Sequence, residues 1–137
     1  MLIQKRGSAR LKWMPKVAST RFDLGDAVVF NVSGQITPVV AASTTIMGYI
    51  KRNVLSTDSD FASTALVPVQ ICVAYDEVEI DASTTVTAAM IGTVRDFSNA
   101  STLNVGAAAT TGLVRILRQG STTTKAVCSF LKNGLTD

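Results

Sequence analysis

An all-β fold is what this chain predicts, and three observations predict it. Val and Thr are abundant, 16 and 17 of 137 residues, while Glu occurs only at 77 and 79; the Glu-to-Lys pairs that line helix surfaces four residues apart are missing. Short apolar runs recur along the chain, each closed by turn residues. Nearly every connection between them is short, which fits a small compact β-barrel or sandwich.

The first segment, MLIQKRGSARLKWMPKVASTR, stands apart from that pattern. Residues 1–21 hold six cations and no acid, whereas residues 22–137 hold seven cations and ten acids. The net charge of +3 therefore combines a segment of +6 with a remainder of −3. Gly7, Ser8 and Pro15 interrupt any periodicity, and Leu2, Ile3, Leu11, Trp13 and Met14 make neither a helical stripe nor a long alternation. The segment reads as an extended N-terminal arm, residues 1–21, ahead of a single β-rich domain, residues 22–137. A purely solvating tail is poor in large apolar residues, whereas Trp among Arg and Lys is the composition of a docking interface. The candidate contact residues are Lys5, Arg6, Arg10, Leu11, Lys12, Trp13, Met14, Lys16 and Arg21.

Strand-like runs follow in order. DAVVFNV closes at Ser33-Gly34, QITPVVA at AST, TIMGYIKRNVL at the polar run STDSDFAST, and ALVPVQICVAY at Asp76. EVEI alternates, with Val78 and Ile80 on one face and Glu77, Glu79 and Asp81 on the other, the period of a half-buried strand. AMIGTVRDF, STLNV, GLVRILR and TKAVCSFL complete the series. The stretches DASTTVTAAM and NASTLNVGAAATTG suit either state, and one has room for a short helix. Pro38 and Pro68 fall inside strand-like runs and predict edge strands or bulges. Gly48, Gly92 and Gly112 each precede Ile or Val by two residues, a setting for a bulge or a close backbone approach.

Enzyme chemistry finds few candidates. The chain has no His, which removes Cys-His and Ser-His pairs, and it has no GxGxxG, GxxxxGK[ST], GxSxG or EF-hand loop. Cys72 and Cys128 sit in separate apolar runs and read as unpaired packing residues. Asp76, Glu77, Glu79 and Asp81 are the one carboxylate cluster, and their alternation reads as a solvated acidic face guarding a strand edge. Asp58 and Asp60 read as turn formers. No cofactor or metal is expected. Charges recurring through the first 16 residues leave no secretory apolar core, and no apolar run is long enough to span a membrane as a helix. Tyr49 and Lys51 share a strand parity and are the nearest approach to a base-stacking surface, but the acidic remainder has the wrong sign for a phosphate groove. Nucleic-acid binding is therefore the alternative reading.

The stretch from Asp23 to Ile71 resembles the capsid decoration, or cement, proteins of tailed bacteriophages. The elements that carry the resemblance are Gly25-Asp26 opening a strand, the Ser33-Gly34 turn, Ile46-Met47-Gly48-Tyr49-Ile50, the polar loop 56–64, and the Val-rich run Leu66 to Val73. The resemblance implies a small all-β, β-tulip-like body and a non-enzymatic structural role on the outer surface of the virion. It implies binding to the major capsid protein, bridging of capsomers, and a homo-oligomer in which a trimer is favoured. Another virion component, such as a head fibre base or tail subunit, is a further alternative.

Overall fold

In a computed structural model, the described residues are 1–7 and 10–132. Strands account for 43% of the chain and helix for 2%. The strands are β1 (Ile3–Arg6), β2 (Leu11–Pro15), β3 (Ala27–Phe30), β4 (Ile36–Pro38), β5 (Gly48–Ile50) and β6 (Leu66–Ile71). They continue with β7 (Glu77–Ala82), β8 (Val94–Asn99), β9 (Thr102–Asn104), β10 (Val114–Gln119) and β11 (Lys125–Phe130). Among the described residues a single 3-10 turn, Ala88–Met90, lies within the ambiguous DASTTVTAAM stretch.

Strands β7, β11, β10, β8 and β9 form a ring, because β9 returns to pair in parallel with β7 at Asp81–Thr102 and Ala82–Leu103. The second sheet runs β2-β6-β5-β3-β4. One core unites Val78, Ile80, Phe97, Ile116 and Cys128 of the barrel with Ala27 and Tyr49 from the second sheet and Cys72 just past the end of β6. A second core holds Phe22, Val28, Met47, Ile50, Val67, Val69 and Ile71. Tyr49 enters the first core and its neighbour Ile50 the second, so β5 is buried on both faces. Double burial explains the continuous apolar run IMGYI, where a one-sided strand would alternate. Gly48 sits where β5 and β6 approach closely: a Cβ there would lie 1.9 Å from the Gln70 carbonyl oxygen.

The free-arm reading of residues 1–21 is corrected by the pairing. β1 runs antiparallel along β7, through Ile3–Glu79 and Gln4–Val78, and β2 runs antiparallel along β6 from Leu11–Gln70 to Pro15–Leu66. Position 21 is consequently no boundary, since both sheets contain strands from the segment before it. Leu2 is buried in the first core, a contribution of about 2 kcal/mol. On its other side β1 meets the second sheet, with Leu2 N donating to Gly25 O and Gln4 N to the Tyr49 hydroxyl.

The acidic face is corrected as well. Glu79 is buried, and β7 carries β11 on one edge and β1 on the other. Lys5 Nζ lies 3.8 Å from Glu79, Arg6 Nε 3.2 Å from Glu77, and Lys125 Nζ 3.7 Å from Asp81. Arg118 also pairs with Glu77. The basic segment and the acidic strand are thus two halves of one neutralised sheet. Coulombic attraction and the cost of burying an unpaired carboxylate both favour that pairing.

Pro68 occupies an inner strand, contrary to the edge or bulge expected of it. Its carbonyl accepts from Lys51 N, just past the end of β5. The missing Pro68 N–H faces the same side, opposite Lys51, so this closing pair of the β5–β6 ladder keeps one of its two bonds and gives up the other. Pro38 lies in β4, at the margin of its sheet.

Candidate interaction surface

The outward-facing side chains of β2 and β6 follow from strand parity. Met14 packs on the second core, as do Val67, Val69 and Ile71. Alternation turns Leu11, Trp13 and Pro15 to the opposite face, with their cross-strand partners Gln70, Pro68 and Leu66, of which Leu66 is exposed and Gln70 and Pro68 are buried. Trp13 is 61% exposed, Leu11 53% and Leu66 55%. Lys51 extends the row beyond Pro68, with its ammonium 5.6 Å from the centre of the Tyr49 ring.

The backbone of β2 adds a second feature. Arg10 O accepts from Ile71 N and Lys16 N donates to Ala65 O, which fixes the even-numbered residues as those facing β6. Leu11, Trp13 and Pro15 therefore direct their main-chain groups to the outer edge. That edge is bridged to β4 at its end, where Val17 N donates to Ile36 O. Among the described residues the edge is otherwise open along Leu11 and Trp13, and Pro15 contributes no donor to it.

The candidate contact residues separate into two groups. Leu11 and Trp13 come together on one face of the exposed stretch of β2, whereas Lys12, also exposed, extends from the opposite face and has no ion pair among the described residues. The others serve the fold. Lys5, Arg6 and Arg10 pair with Glu79, Glu77 and Asp76, and Arg21 pairs with Asp23 at 3.0 Å. Met14 is core, and Lys16 is fully buried with its Nζ donating to the carbonyls of Phe61 and Ser63. Leu66, Pro15 and Lys51 belong to the surface and were missed. Parity along ALVPVQI offered a signal for Leu66, but the pairing of residue 15 with 66 is not visible along the chain.

Tyr49 is buried, and its hydroxyl accepts from Gln4 N. Its ring is therefore unavailable for stacking on a base. Among the described residues no three His, Cys, Asp or Glu side chains are grouped to hold a metal ion, and no helix is long and apolar enough to cross a membrane.

No family model matches the chain, and no curated protein matches it. The reading of its role therefore rests on the surface itself.

Proposed function

We propose that this chain is a structural, non-enzymatic protein of a tailed-phage virion that binds the outer surface of the capsid and bridges capsomers. The observation that carries the proposal is Trp13, a largely exposed indole set on a paired strand beside an open backbone edge. Buried Trp anchors dominate protein interfaces, and an indole held on a strand loses little conformational freedom on docking. Lys51 lies on the face of the indole, beyond Pro68, without an ion partner among the described residues, so the complementary surface is an apolar socket with an acidic rim. The major capsid protein is the partner in this reading, and a homo-oligomer, with a trimer favoured, supplies several such surfaces at once.

Co-sedimentation with empty capsids, expanded and unexpanded, tests the proposal. The chain should pellet with expanded shells and not with an equal mass of double-stranded DNA. Binding to DNA that weakens steeply with salt, without binding to shells, would support the nucleic-acid reading instead.

A further inference from the structure

The first strand, like β2, is held with little help from burial of its own side chains. None of the side chains in β1 is buried; Ile3, Lys5 and Arg6 are exposed and Gln4 is half-buried. Its hold on β7 comes from a short ladder, from Leu2 in the core, and from the pairs of Lys5 with Glu79 and Arg6 with Glu77. The seat that β1 occupies is shaped by what lies around it. β9 takes the same edge of β7 over Asp81 and Ala82, which limits the vacant stretch to Glu77–Glu79. A strand filling that stretch needs an apolar residue for the Leu2 socket and cations three and four positions later. It also needs an N–H opposite the Tyr49 hydroxyl.

The segment with those features is residues 2–6 of this sequence. We propose that the β7 seat accepts the first strand of a second copy, so that two chains exchange β1. Every contact of the strand is reproduced in the exchanged form, and association is then set by concentration and by the geometry of the connection to β2. Charge supports a second copy as the occupant, because the vacated seat presents Glu77 and Glu79 and the released strand presents Lys5 and Arg6. Salt screens the exposed pair more than the ladder, so salt speeds exchange.

Two single variants of the full chain test this, Arg6→Cys in one and Glu77→Cys in the other, at positions that are register partners. Mixed at high concentration and then oxidised, they should yield a disulfide between positions 6 and 77, identified in the digested covalent dimer. Its yield should rise with incubation time and with added salt. The chain carrying both substitutions, oxidised at high dilution, should form the same bond within one molecule. Formation in the double variant but not in the mixture would overturn the exchange. Failure in both would overturn the seat itself. Mixed unlabelled and isotope-labelled copies of the unsubstituted chain, coupled with a carbodiimide, give a second readout that depends on no variant folding. Lys5–Glu79 links should join labelled to unlabelled peptides while Lys125–Asp81 links stay within one isotope. Mixing at neither pair, or at both alike, counts against exchange.

Discussion

Arg10 and Asp76, 66 residues apart in sequence, meet in a hydrogen-bonded ion pair, Nη1 to Oδ2 at 2.6 Å. Asp76 is fully buried, and the same oxygen accepts from Val73 N. Replacing Arg10 by Ala leaves a carboxylate in the interior with its charge uncompensated. The expected cost is about 3 kcal/mol, read as a lower midpoint in urea unfolding. Gly7 is part of the same arrangement: its φ is +107°, and a Cβ would fall 1.8 Å from Asp76 Oδ1. Gly7→Ala should destabilise the fold as well, whereas a free arm would tolerate it.

Lys16 gives a second test. Its ammonium ties the loop carbonyls of Phe61 and Ser63 to the end of β2. Lys16→Met keeps most of the volume and removes the donors: the Ser63 carbonyl loses its partner, while the Phe61 carbonyl keeps only Ser19 N. A loss of about 2 kcal/mol is expected, with faster amide exchange through residues 58–65. Unchanged stability would show that the Ser63 carbonyl finds water instead.

Asp96 sets the acid limit. Its carboxylate accepts from the N–H groups of Thr110, Thr111, Gly112 and Leu113 and from the Thr110 hydroxyl. Burial pushes the carboxyl up, but hydrogen bonds from Thr111, Thr110 and Gly112 outweigh it and bring the pKa to about 2. A folded-state pKa below the unfolded one means stability that is complete above about pH 4 and is lost as pH falls toward 2. The contribution is roughly 2 kcal/mol by linkage. Asp96→Asn should flatten the unfolding midpoint between pH 4 and 2 and lower stability at neutral pH.

Both cysteines should be inert. Burial pushes the thiols of Cys72 and Cys128 up to about 12, so almost no thiolate is present at pH 8. A thiol reagent at that pH should label neither in the native protein and both in denaturant. Fast native labelling of either would contradict this packing.

Trp13 should separate docking from stability. An exposed indole contributes little to the fold, so Trp13→Ala should shift unfolding by less than about 0.5 kcal/mol. Shell affinity should fall by a factor on the order of thirty if the indole is the anchor, from about 2 kcal/mol at tenfold per 1.4 kcal/mol. Lys51→Ala, at the rim, should cost less than about fivefold. Equal shell affinity of Trp13→Ala and the unchanged chain would remove the proposed docking role.

The sequence by itself determined the class of this fold and the place of most strands. Alternation and turn residues act over a few positions, and the runs from DAVVFNV to TKAVCSFL each hold a strand. It also marked Cys72 and Cys128 as packing residues, because an apolar run around a thiol is local information; both are free and buried. What only the tertiary structure decided is where the first 21 residues go. Lys5, Arg6 and Arg10 find their acids more than 60 residues away, and no local pattern encodes such a pairing. The irregular apolar spacing has the same cause. Leu2 enters one core and Met14 the other, while Trp13 faces outward, because β1 and β2 belong to different sheets. A segment divided between two sheets carries no single period, and read in one dimension it looks like an arm.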